Sequence, residues 1–120
     1  MSGHRILQDL AQGQNSVLDP GNGKEIKADR SFQIVNLVSA GAETRTITDP
    51  TKDGIVLALV CVTYVGDIVV TCPAGINQSG NSTITFNGAN DLAILFSVPK
   101  SPGGTAYRWR LWLNDGCTLG

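Results

Sequence analysis

The sequence predicts an all-β fold: an antiparallel sandwich, jelly roll or barrel of about eight strands, preceded by an extended N-terminal arm. Three observations predict it. Residues 55–65, I-V-L-A-L-V-C-V-T-Y-V, form a run of β-branched and apolar residues with hardly a polar break, a composition that suits a pleated, buried surface. Shorter apolar runs recur along the rest of the chain, separated by clusters of turn residues in the manner of a strand-rich domain. Fourteen glycines and five prolines supply the turns that such a fold needs. At 120 residues the chain is one domain, long enough to bury roughly two-thirds of its unfolded surface.

Residues 1–23 read as the arm and 24–120 as the β domain. In the arm, Ile6, Leu7 and Leu10 mark a short apolar stretch, as one helical turn or two ending near Gly13. Gln12 to Asn15 is polar, Val17 and Leu18 are a brief apolar pair, and Asp19-Pro20-Gly21-Asn22-Gly23 is a dense turn cluster. A segment of this kind orders where it meets a partner; the plainer alternative is a frayed terminus. Strands follow at 25–28 and, more strongly, at 32–38. Ala40-Gly41 turns the chain, and 43–48 (E-T-R-T-I-T) alternates threonines against Arg45 and Ile47. Asp49-Pro50 opens a loop to Gly54, because proline removes a ladder donor.

The run at 55–65 has no obvious wet face, so it needs cover on both sides, from a second sheet or from another subunit. Gly66-Asp67 is a two-residue hairpin signal that joins it to a strand at 68–72. That register sets Val65 against Ile68 and Cys61 against Cys72. The spacing is compatible with a disulfide, but side chains diverge at a hydrogen-bonded pair, and two small hydrophobes sharing a face is the plainer reading. Residues 73–81 read as a loop. Strands at 82–86 and 92–98 form a second expected hairpin around a five-residue loop, with Phe86 facing Leu92 and Ile84 facing Ile94, since a one-residue slip would put the apolar faces out of step. The last strand is 105–113.

Charge and reactive groups exclude much. Nine basic and ten acidic side chains leave a net charge of −1, so no basic surface points to nucleic acid. The longest apolar run falls short of the roughly 18 to 20 residues that a membrane helix needs. With no signal-peptide pattern, synthesis in a reducing cytosol is expected, where cysteines stay as thiols. The single histidine, His4, lies in the arm, which removes the usual nucleophile–histidine pairs. Cys61, Cys72 and Cys117 lack metal-cluster spacing, and the aspartates lie at turns. No enzyme activity, cofactor or metal site is expected. Arg108, Arg110 and Trp112 share one face of the last strand, opposite Tyr107, Trp109, Leu111 and Leu113. An Arg–Trp face suits a subunit interface or a ligand platform; the alternative is a sandwich strand with its arginines in solvent.

The segments A-x-E-T-R-T-I-x-D-P-T (from Ala42), G-I-N-Q-S-G-N-S-T-I-T-F (from Gly75) and R-W-R-L-W-L-N-D-G (from Arg108) resemble small β-structured virion proteins of tailed bacteriophages, above all capsid decoration (cement) proteins. The similarity runs from about Asp19 to Gly116. The resemblance implies a homotrimer on the capsid exterior, made in the bacterial host cytoplasm, that bridges major capsid protein subunits. It also implies an arm contacting the shell, here through Ile6, Leu7, Leu10, Val17 and Leu18. The alternative function is a receptor- or carbohydrate-binding module of a tail or fibre, with Arg108, Arg110 and Trp112 as its platform.

Overall fold

The computed structural model describes residues 16–77 and 80–120. The expected contributions of His4, Ile6, Leu7 and Leu10 lie outside them. The described chain is all β, with strands β1 (Ser16–Leu18), β2 (Lys24–Ile26), β3 (Phe32–Val38), β4 (Glu43–Ile47), β5 (Val56–Thr63), β6 (Ile68–Ile76), β7 (Asn81–Phe86), β8 (Leu92–Pro99), β9 (Tyr107–Asp115) and β10 (Thr118–Leu119). All belong to one sheet, ordered β1-β3-β5-β8-β9-β6-β4-β2, with β7 on β6 and β10 on β7. The sheet curls over on itself like an opened barrel, so that two leaves share a core. One leaf is β1-β3-β5-β8-β9; the other is β2-β4-β6-β7-β10. They join at a narrow seam, where Ile76 pairs with Trp109.

The chain alternates between the leaves from β1 to β6, and this alternation explains the main departures from expectation. Each strand of the first half pairs in parallel with the strand two along: β1 with β3, β3 with β5, β2 with β4, and β4 with β6. The 66/67 turn therefore does not close a hairpin. It carries the chain from one leaf to the other, because β5 is flanked by β3 and β8 while β6 is flanked by β4 and β7. A turn signal fixes where the chain reverses but not which strand wins the ladder; burial of one face on each leaf decides that. Cys61 and Cys72 consequently sit on opposite leaves as buried free thiols, and the facing pair does not form. Strands β7 and β8 likewise go to different leaves, so Phe86 meets Ile68 and Leu92 meets Val60. The stretch after Cys72 continues as strand to Ile76, with a register shift that accommodates Pro73.

Inward side chains from both leaves make one core, including Val35, Leu37, Leu57, Leu59 and Leu95 facing Ile26, Ile47, Ile68, Val70 and Phe86. Trp109 is its largest fully buried member. Val17 packs against the same core, so β1 belongs to the folded domain rather than to a detached arm. The connection at 64–67 is locked by Ser39, whose hydroxyl donates to the Gly66 carbonyl (2.8 Å) and accepts from the Val65 and Gly66 amides. A Cβ at Gly66 would collide with the backbone of Gly41 and Ala42, so only glycine permits the two turns to touch.

Candidate interaction surface

Pairing register groups the outward side chains of the first leaf into three cross-strand rows. Phe32, Val56, Phe96 and Arg110 form one; Ile34, Ala58, Ile94 and Leu113 the next; Asn36, Val60, Leu92 and Asp115 the third. Leu18 extends the third row and is 91% exposed. Nine of these twelve positions are apolar, and no described strand lies over them. Adjacent strands lie ~4.8 Å apart and rise ~3.3 Å per residue, so four strands and three rows span roughly 300 Å² in projection. The largest apolar patch on an ordinary monomer is of that order, ~300–600 Å², and such patches are often functional.

The second leaf is built the other way. Its outward rows are Thr44, Val69, Thr85 and Thr118, then Glu25, Thr46, Thr71 and Thr83. Hydroxyls line it almost throughout, and β-branched threonine keeps strand propensity while remaining wettable.

Trp112 sits at the edge of the apolar leaf because of a bulge. Ile94 pairs with Leu113 and Leu95 with Leu111, which leaves Trp112 as the extra residue on β9. The bulge also turns Leu113 outward, so the expected face of Tyr107, Trp109, Leu111 and Leu113 is divided: Trp109 and Leu111 face the core, and Leu113 faces solvent. Trp112 is 67% exposed. Its ring meets Phe96 edge-on, with centroids 6.1 Å apart and planes at 83°, a favoured aromatic geometry. Gly54, Val56, Phe96 and Trp112 line a shallow apolar hollow. Of the two arginines expected beside Trp112, Arg110 lies in the Phe96 row, while Arg108 donates from Nη1 to the Asn77 carbonyl at 3.1 Å. Of the expected arm residues that are described, Leu18 faces outward and Val17 faces the core.

A buried ion cluster, not foreseen from the sequence, ties the leaves together. Arg45, on β4, points inward with a fully buried side chain. Its Nε and Nη2 donate to both oxygens of Asp19 (2.7 and 2.8 Å), a bidentate pair. Nη2 also donates to Glu43 (2.9 Å) and to the Val38 carbonyl (3.1 Å). Asp19 accepts further bonds from the Val38 and Gly21 amides. Burial opposes ionisation of Asp19, but its bonds from Arg45, Val38 and Gly21 outweigh that and hold its carboxyl below the usual range. Glu43 is lowered by the Ala40 amide and then by Arg45. The Asp19-Pro20-Gly21 turn thus crosses between leaves with a charge pinned beneath it.

The thiols are poorly placed for chemistry. Burial pushes Cys61 upward and Cys72 to about 12, and burial likewise raises Cys117 to about 12, far from the thiolate that a nucleophile requires. Among the described residues no group of three or more His, Cys, Asp or Glu is placed to hold a metal ion, and no helix is long and apolar enough to cross a membrane. No protein-family description matches the chain, and no curated protein matches it in sequence.

Proposed function

We propose that this protein is a non-enzymatic structural component of a phage virion, which decorates the capsid and stabilises it by bridging major capsid protein subunits as a homotrimer. The observation that carries this reading is the contrast between its outer faces. One leaf presents rows of Phe, Ile, Val and Leu that favour burial, and the other presents threonines that favour water. A decorating subunit needs that division, with one side buried against sister copies and the shell and the other side wet. The resemblance of the Ala42, Gly75 and Arg108 segments to decoration proteins supports the location on the virion. A patch of roughly 300 Å² is smaller than the ~800 Å² per partner of a standard stable interface. Single copies would therefore hold weakly, and linking three multiplies the effective concentration of each contact.

Native mass measurement of the purified protein, followed by co-sedimentation with undecorated phage shells, tests the proposal. Trimers that pellet with shells are the expected result; a monomer left in the supernatant overturns it. The exposure of Trp112 favours a second reading, a receptor- or carbohydrate-binding module of a tail or fibre. Against it, the hollow beside Trp112 is lined by apolar groups, whereas sugar sites surround the aromatic with hydrogen-bonding groups. Glycan binding that disappears in Trp112→Ala, with the oligomer intact, would favour this module over the capsid role.

A further inference from the structure

The connection from β5 to β6 ends one pole of the curled sheet in an apolar tip. Val62, Tyr64 and Val65 are exposed there, Val65 by 64%. Turns in water are ordinarily polar; this one is apolar and is also held rigid. Ser39 fixes the Val65 and Gly66 amides, and the Tyr64 hydroxyl donates to Asp67 Oδ1 at 2.6 Å. Asp67 stands two residues from Val65, and among the described residues it joins no salt bridge. Towards the other end of β5 lies the hollow of about 370 Å³ lined by Gly54, Val56, Phe96 and Trp112. Arg110 stands beside it as the cross-strand partner of Phe96, and it too joins no salt bridge among the described residues.

We propose that the Val62–Val65 tip of one copy seats in the Trp112 hollow of a second copy, with Asp67 reaching Arg110. The two features match in shape, polarity and charge. One is a projecting apolar turn with a carboxylate at its side; the other is an apolar recess with a guanidinium at its side. A turn already locked in one conformation loses little freedom on entering a preformed recess. The carboxylate–guanidinium pair at the rim sets its orientation. Tip and hollow cannot meet within one copy, because the eight residues of β5, at ~3.3 Å each, hold them roughly 25 Å apart. A contact between two different patches is heterologous, and the angle between the patches decides whether it closes into a ring or runs on as a filament. The hollow opens outward from the sheet face, whereas the tip lies beyond the end of a strand. Successive copies therefore turn sharply and close after a few. This inference rests on the homotrimer reading and names the contact by which the copies join.

A charge exchange in the full-length protein tests it. Arg110→Asp and Asp67→Arg should each raise the concentration at which the trimer dissociates at least tenfold, and the double variant should return it to within about threefold of the parent. Single substitutions without effect, or a double variant no tighter than either single, overturn the proposal. As a second measurement, copies carrying Val65→Cys are mixed with copies carrying Trp112→Cys, both in a Cys117→Ser background, then oxidised and analysed by mass. Bridges between unlike copies are expected; bridges only between like copies, or none, overturn it as well. A parent protein that is monomeric removes the homotrimer reading and this contact together. A parent trimer that is indifferent to both experiments removes this contact alone.

Discussion

The two outer faces of this protein have the same backbone geometry and opposite chemistry. Both are built from strands with period-two alternation, and both back onto the same core. On the β3-β5-β8-β9 leaf the alternation fails to switch character, so Val56, Ala58 and Val60 are as apolar as Leu57, Leu59 and Cys61 behind them. On the β4-β6-β7 leaf it switches cleanly, with Thr44 and Thr46 outside and Arg45 and Ile47 inside. Folding requires only the inner faces to be apolar. The extra apolar rows on one leaf lie outside the core that the two leaves share, and under the proposed function they are the face that sister copies and the shell cover.

The sharpest way to break this contrast is to charge the apolar leaf. Ile94→Lys, in its middle row, should convert the proposed trimer to monomers, since a lysine buried without a partner costs several kcal/mol. Thr85→Lys on the other leaf should leave the native mass unchanged and shift stability by no more than about 0.5 kcal/mol. Equal responses from the two leaves would remove the basis for a covered face. Cutting the tie between the leaves comes next. Arg45→Ala leaves Asp19 and Glu43 without their counter-charge and should cost about 3–5 kcal/mol in urea unfolding, whereas Arg45→Met should recover part of that loss.

A smaller effect is expected at the rim. Trp112→Ala should weaken association by about 2 kcal/mol, as for an aromatic anchor, measured as a rise in the dissociation concentration, with far less change in unfolding of the monomer. The weakest effect is with pH. Asp19 and Glu43 have folded pKa values below their ordinary ones. Their contribution is therefore full above the unfolded carboxylate range near ~4 and is lost as the pH falls through the folded values. Urea midpoints should hold level from neutrality to about pH 5 and then drop, and Asp19→Asn should flatten that acid slope.

Much of the strand content was legible because each strand carries its own evidence. The expected bounds at 32–38 coincide with β3, and those at 43–48, 82–86 and 92–98 differ from β4, β7 and β8 by a residue at one end. The apolar character of both faces of 55–65 was also legible, since it follows from composition alone; the structure shows the cover on the inner face, from the second leaf. Partner choice was not. The Gly66-Asp67 turn looks the same whether it closes a hairpin or carries the chain between leaves, and only the whole set of inward faces distinguishes the two. The same holds for Phe86 and Leu92. Arg45 reads locally as an ordinary member of a Thr-rich strand; its burial depends on Asp19, 26 residues earlier, and no local spacing announces such a pair. The bulge at Trp112 was hidden because R-W-R-L-W-L alternates well enough to suggest an unbroken strand.

The alternation of β1 to β6 between leaves also bears on the order in which the molecule becomes whole. None of β1 to β5 pairs with its immediate successor, so the earlier half of the chain has no local ladder to nucleate. The local reversals come late, where β6 meets β7 and β8 meets β9 through antiparallel ladders. The expected order therefore runs backwards relative to the chain, with the β6–β7 and β8–β9 ladders formed first and the earlier strands wound onto them; pulse-labelled amide exchange that protected β1 to β4 first would contradict it.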